Sequence, residues 1–223
     1  DDDSCIASVY GIASLFISEY SSIYYDNSYL EIYNPTSDVV YFDNYAIAQT
    51  MSSAYGCYEY WFTFPDGAFI EPEGTYVIAD FSHYNYPIEY NWYNSTLYLS
   101  GDDAVALVYG GVYTPSYNEC GYYTDLYLNS SLNSAGSASI GYFSDYIVLD
   151  RIGDFNGDPG SGWSVAGTTN ATYYNTLTRK CHINEGNSNW NSSSGTNSTN
   201  SEWEVYYSPS VTQHTICIEG CAD

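Results

Sequence analysis

The chain reads as an all-β sandwich, for three reasons. Its residue types favour pleated, half-buried surfaces: aromatics make up 19% of the 223 residues, 29 of them are Tyr, and Val, Ile and Thr recur between them. Short runs that alternate apolar and polar side chains come at near-regular spacing, divided by Gly, Pro and Asn. No segment sustains the apolar period of a helix. At 44% hydrophobic and 13% charged residues, the composition suits a folded domain and not a disordered tail.

The elements follow in order. Residues 14–20 (SLFISEY) alternate, which predicts a half-buried first strand. Residues 28–34 (SYLEIYN) repeat the pattern and stop at Asn34-Pro35, a turn signal. Residues 38–50 hold two strands around Asp43-Asn44, and 58–64 (YEYWFTF) hold another that ends at Pro65-Asp66-Gly67. Residues 74–80 (GTYVIAD) and 104–109 (AVALVY) are almost wholly apolar, as central strands are, and Gly110-Gly111 predicts a hairpin turn into Val112 and Tyr113. Residues 146–152, a short strand at Thr176–Lys180 and another at Trp203–Tyr206 complete the set. Residues 114–145, rich in Tyr, Ser, Asn and Gly, read as a long insertion, and 187–201 (NSNWNSSSGTNSTNS) has the composition of a linker.

Charge narrows the partners. Against 27 Asp and Glu stand only Arg151, Arg179 and Lys180, for a net charge of -24. Nucleic acid and anionic membrane surfaces are polyanions and repel such a chain, and no apolar run is long enough to span a bilayer. Five sequons stand at Asn94, Asn129, Asn170, Asn191 and Asn197, and the six cysteines (Cys5, Cys57, Cys120, Cys181, Cys217, Cys221) are dispersed with no CxxC pair. Together they predict an extracellular, N-glycosylated, disulfide-bonded protein and argue against zinc. The opening Asp1-Asp2-Asp3 fits a mature chain whose signal was removed, or a fragment of a longer one. Fifteen disulfide pairings are possible. The favoured one joins Cys57 to Cys120 and ties the C-terminal tail, through Cys217 or Cys221, to Cys5 or Cys181.

Several segments taken together resemble the lamin-tail domain family, an immunoglobulin-like β-sandwich, in a secreted microbial-type form. They are LFISEY at 15–20, YLEIYNPTSDVVYFDNYAIA at 29–48, GTYVIAD at 74–80, SGDDAVALVYGG at 100–111, the stretch Val148–Lys180, and GNSNWNSSSGTNSTNSEWEVY at 186–206. They occur in the family's order. The resemblance implies a domain over 14–207 with disulfide-tied extensions at 1–13 and 208–223. It also turns the polar 187–201 segment into an ordered loop anchored by Trp190 and Trp203. Similar domains serve as tails on filament-forming rods, or sit beside enzymes and adhesins as targeting or assembly modules. The resemblance therefore implies no catalytic centre, and without a heptad rod an intermediate-filament role does not carry over.

Candidate sites are few. Glu19 and Glu31 lie mid-strand on neighbouring strands, a placement that could serve acid–base chemistry. The resemblance makes the Glu31 carboxylate part of the framework instead, with Arg151 as its partner in a structural ion pair. Gly101-Asp102-Asp103 reads as a capped turn. Asp154, Asn156 and Asp158 have the D-x-N-x-D spacing of a calcium loop, so calcium is the one cofactor that the sequence raises. Val165 stands where an EF-hand needs Glu, and Pro159 where it needs Gly, so a turn packed under Trp163 is the competing reading. His83, His182 and His214 have no G-x-S-x-G serine to serve. With no catalytic group in view, the expected function is a structural protein that self-associates through its tyrosines, as the repeating subunit of an extracellular filament or surface appendage. The alternative is an adhesion module that binds carbohydrate or a cell surface through exposed Tyr and Trp.

Overall fold

The structure, a computed structural model, describes residues 12, 14–23, 27–50, 58, 60–82, 89–94, 97–115, 138–139 and 141–207. These form two packed sheets and a small third one. The first sheet has six strands: β1 (Phe16–Ser22), β2 (Asn27–Tyr33), β7 (Thr75–Ser82), β8 (Trp92–Tyr93), β12 (Asn175–Arg179) and β13 (Trp203–Tyr207). Their spatial order is β13-β12-β1-β2-β7-β8, antiparallel except for the parallel β7–β8 pair. The second sheet comprises β4 (Tyr45–Gln49), β5 (Tyr60–Thr63), β9 (Val105–Pro115), β10 (Ala138–Ser139) and β11 (Gly141–Ile152), in the order β10-β5-β4-β9-β11. Strands β3 (Val40–Tyr41) and β6 (Phe69–Ile70) pair separately. Among the described residues, one short helix, α1 (Trp190–Ser194), lies inside the polar 187–201 segment.

Alternation decides what faces inward, because successive side chains of a strand point to opposite faces. Ile17, Leu30, Ile32, Ile78 and Leu177 of the first sheet meet Ile47, Phe62, Val105, Leu107 and Ile152 of the second in one core. Each fully buried side chain of this kind contributes about 1.5–3 kcal/mol. An aromatic group fills one end, where Phe42 stacks on Phe64 at 4.0 Å between ring centroids and meets the Tyr76 ring edge-on at 4.8 Å. The outer face of the second sheet carries its own cluster, with Ala46, Ala48, Trp61, Ala106 and Val108. Tyr29, Val77 and Ala79 form a small one on the outer face of the first.

One expectation changes. Gly110-Gly111 does not turn the chain. Gly110 takes φ 75°, and β9 runs on through it to Pro115, paired with β11 as far as Gly141. A glycine can bend a strand without ending it, so part of the expected insertion is strand. The polar 187–201 segment is ordered, as the resemblance implied. Asn189 caps α1 by accepting the Ser192 N–H at 3.1 Å, and Trp190 and Trp203 are both buried in the core.

Candidate functional site

A bulge in β1 builds the first site. The register with β2 shifts between Ile17 and Glu19, which leaves Ser18 as the extra residue. Beyond it Glu19 stands directly opposite Glu31 on one side and Thr178 on the other. Both carboxylates lie on the outer face of the first sheet, yet Glu19 is only 5% and Glu31 only 3% exposed. Ser18 Oγ donates to Glu31 Oε1 at 2.8 Å, and Thr178 Oγ1 donates to Glu19 Oε1 at 3.1 Å. Glu19 Oε2 is buried and has no hydrogen-bond partner. Burial, and after it the Glu31 charge, pushes the Glu19 carboxyl up to about 7, while the Tyr29 and Thr178 hydroxyls pull the other way. Burial and the same two carboxylates raise the Tyr29 phenol. Ser18, Glu19, Glu31 and Thr178, with Phe16, Tyr33, Arg179, Lys180, Cys181 and Ile183 beside them, line a cavity of about 100 Å³.

The second feature is a buried arginine hub. Arg179 pairs with Asp150 Oδ2 through Nη2 and with Glu202 Oε2 at 2.5 Å through Nη1. It also donates to the Ile17 carbonyl at 3.2 Å and to Ser193 Oγ at 3.0 Å. Asp150 accepts N–H bonds from Ile17 at 2.8 Å, Arg151 at 2.9 Å and Asn187 at 3.1 Å. Burial raises its proton affinity, and Arg179 with the Asn187 and Ile17 amides opposes the rise. Asn187 Nδ2 closes the ring on Glu202 Oε1 at 2.6 Å. Every charge here is matched by fixed donors or acceptors, which is the condition for burying ions at all.

The hub corrects the expected ion pair. Glu31 and Arg151 do not meet, because they occupy opposite outer faces of the sandwich. Glu31 is registered against Val77 of the outer cluster on the first sheet. Arg151 is registered against Ala106 of the outer cluster on the second, with its guanidinium 5.5 Å from the Phe155 ring. The neighbouring Asp150 faces inward and takes Arg179 instead. Lys180 Nζ is held by the carbonyls of Ser198 and Ser201, each at 2.5 Å. Arg179 and Lys180, though bonded as described, line the same cavity as Glu19 and Glu31, and Arg151 Nε is buried without a hydrogen-bond partner.

The remaining sequence candidates sort as follows. Asp154 Oδ1 accepts the Asn156 N–H at 3.0 Å, and Asp158 Oδ1 accepts the Gly160 N–H at 2.8 Å. This is the turn reading of the calcium-like spacing. Trp163 packs on that turn so closely that a Cβ at Gly153 or Gly157 would come within 2.6 or 2.9 Å of its ring. Asp102 and Asp103 both accept from Ser100 Oγ, at 2.5 and 2.8 Å. Among the described residues, no three His, Cys, Asp or Glu gather as a metal cluster. Asn170, Asn191 and Asn197 are exposed. Asn94 is a correction: its N–H is bonded to the Ala79 carbonyl at 2.8 Å and its side-chain nitrogen is buried, so that sequon offers no surface for a sugar. Asn129 lies outside the described residues, as do His83, His214, Cys5, Cys57, Cys120, Cys217 and Cys221. The one described cysteine, Cys181, is disulfide-bonded to a partner outside them. Among the described residues, no helix is long and apolar enough to cross a membrane.

Tyrosines divide between core and surface. Tyr20, Tyr29, Tyr45, Tyr58 and Tyr76 are buried, while Tyr41, Tyr90, Tyr93, Tyr173, Tyr174, Tyr206 and Tyr207 are exposed. The exposed ones come in contacting sets: Tyr41 with Phe69, Tyr90 with Tyr93, and Tyr173 with Tyr174. Tyr206 and Tyr207 sit on β13, an edge strand of the first sheet.

No curated protein matches the chain. A crystal structure of a DUF4876 family protein from Bacteroides thetaiotaomicron VPI-5482 is similar at 15% identity and a TM-score of 0.48, over 89% of this chain and 72% of that one. The family described as Lamin Tail Domain matches residues 9–119, which span β1 to β9 and both carboxylates of the outer-face pair. With two packed, mostly antiparallel sheets and one short helix among the described residues, the architecture built by these residues and completed by the Arg179 hub is an all-β, immunoglobulin-like, lamin-tail-like sandwich.

Proposed function

We propose that the chain is a secreted, N-glycosylated structural protein that self-associates, as the repeating subunit of an extracellular filament or surface appendage. The observation that carries this reading is the presence of separate exposed aromatic patches on different sheets. Tyr41 and Phe69 lie on the β3–β6 pair, with Val39 just before β3, and Tyr206 and Tyr207 lie on the β13 edge. Two unlike patches suit a head-to-tail contact, which extends into a fibre when the rotation does not close. Tyr provides large contact area at low entropy cost. An edge strand adds unpaired backbone groups that another chain can match. A net charge of -24 opposes association, so the contacts are apolar or bridged by cations. Electron microscopy of the native, glycosylated protein tests the reading. Ordered filaments with a one-domain repeat support it, and particles that stay monomeric at high concentration reject it.

The Tyr90–Tyr93 pair supports the second reading, an adhesion module. Its rings lie 5.7 Å apart and both are exposed, an arrangement on which a sugar ring can stack. That reading requires a monomer with a saturable glycan ligand.

A further inference from the structure

We infer that the open edge of β13 receives residues 208–218 of a second copy of the chain, as an added strand. The inference rests on the self-association reading and names its contact. β13 ends the six-stranded sheet, and among the described residues no strand pairs with its outer side. The Lys180 N–H donates to the Glu202 carbonyl at 2.8 Å, so the backbone of Glu202 faces β12. Alternation along the antiparallel ladder turns Glu204 and Tyr206 the same way, and the backbone groups of Trp203, Val205 and Tyr207 outward. Ser201 Oγ accepts the Trp203 N–H at 3.1 Å. The N–H and C=O groups of Val205 and Tyr207 remain as a template for a further strand. Side-chain cover is incomplete at the same place: Val205 packs on the core but is only partly buried, and Tyr207 is 70% exposed.

Charge and sequence select the occupant. The edge carries Glu204, which is exposed, and Glu202, which is paired with Arg179. Like charges set opposite one another destabilise a strand pair, so a second β13, with the same two carboxylates, does not suit. Residues 1–11 open with Asp1-Asp2-Asp3 and bring three more. Residues 208–218 (SPSVTQHTICI) contain no Asp or Glu and include His214. They follow β13 directly and lie outside the described residues. Their run VTQHTICI, at 211–218, is rich in the β-branched residues that suit a strand. Pro209 directs this run away from its own edge. A tight return hairpin takes a type I′ or II′ turn built on Gly or Asn, and Ser208-Pro209-Ser210 supplies neither. The residue before a proline favours extended backbone, which suits a course outward to a neighbour. Each copy then offers one edge and one tail, a heterologous contact that can repeat without closing.

The test mixes two full-length variants of the native protein and follows their mass by sedimentation. V205P removes an outward N–H from the edge and leaves the β12 ladder intact, since an edge strand tolerates proline where the N–H faces away from the sheet. T212P/T215P removes two N–H groups of opposite facing from the tail, and so blocks it in either register. Expected is a wild type that assembles, and two variants that are each monomeric with a thermal midpoint near that of the wild type. Their 1:1 mixture should stop at a dimer, with the tail of V205P on the edge of T212P/T215P. A wild type that stays monomeric at high concentration rejects the self-association reading, and the inference with it. If the wild type assembles, two results overturn the inference alone. One is assembly of either variant by itself. The other is a mixture that stays monomeric, which would seat each tail on its own edge or leave the edge to another partner. If V205P does not fold, Y207P, at the exposed end of the strand, replaces it under the same criteria.

Discussion

Arg179 lies flat over the indole of Trp203, its guanidinium carbon 3.9 Å from the ring centroid, while its two Nη atoms hold Asp150 and Glu202. Stacking and ion pairing are thus carried by one planar group, which lysine cannot imitate. Removing it strands Asp150 as a buried, unpaired charge. R179M is expected to lower stability by about 3–5 kcal/mol, and R179K to recover only part of the loss. D150N/R179M should lose clearly less than the sum of the single changes, because the two residues share one interaction. Urea denaturation of the wild type, R179M, R179K, D150N and D150N/R179M measures this.

The Glu19 carboxyl makes stability depend on pH in an unusual direction. Its pKa is about 7 in the folded chain, against 4.5 as the ordinary value. The folded state therefore binds more protons between those two pH values. Its contribution is fully present below about pH 4.5 and is lost as pH rises through about 7, to a total of about 3 kcal/mol. Asp80, raised to about 6 by burial, acts in the same sense. In EDTA the thermal midpoint should rise on acidification from pH 8 to pH 5, and E19Q should flatten the slope and be the more stable protein at pH 8.

Gly186 is where the polar loop passes the hub. A Cβ there would press on the Leu149 carbonyl oxygen and come within 2.8 Å of the Asp150 Cβ. G186A is expected to cost about 1–3 kcal/mol by displacing Asp150 from Arg179, a loss that urea unfolding of the variant reads directly. G67A, where the added carbon meets nothing within 4 Å, bears only the cost of its positive φ and should lose less.

Glycan mapping of the native protein by mass spectrometry should find Asn94 bare and sugar at one or more of Asn170, Asn191 and Asn197. The amide nitrogen at Asn94 is buried, and the other three residues are exposed.

On the β13 edge, Y206S/Y207S should leave the thermal midpoint within about 2 °C and shorten or abolish filaments, since both rings are exposed and contribute little to the fold. Sedimentation and microscopy of the same sample separate the two effects.

The strands were legible because alternation is a local signal. SLFISEY and SYLEIYN became β1 and β2 nearly at the expected bounds, and Asp43-Asn44 does separate β3 from β4. The carboxyl pair was visible for the same reason, since both residues sit mid-strand between apolar neighbours. The arginine hub was not. Arg151 and Arg179 are equally rare bases in the sequence, and it is the β11 register shift between Val148 and Asp150 that sets Asp150 toward Arg179 and leaves Arg151 on the outer face. A bulge of that kind, like the one at Ser18, reverses the facing of every later residue and leaves no compositional trace. Gly110-Gly111 misled because a glycine pair signals a turn and a bend alike. Asp150 and Glu202 as hub partners rest on contacts across 29 and 23 residues, beyond the reach of any local pattern.

The hub also has a temporal meaning. Ile17 of β1 is bound to Asp150 and to Arg179, residues 133 and 162 positions later. β1 therefore cannot close against its neighbour β12 until nearly the whole domain has left the ribosome, a wait of roughly 10–40 s at usual synthesis rates. Long-range pairing of this sort slows folding and leaves the β1–β2 hairpin with an open edge in the meantime. Two acidic side chains, Glu19 and Glu31, sit on that hairpin opposite each other. Charged side chains on such an open edge discourage nascent copies from pairing through it.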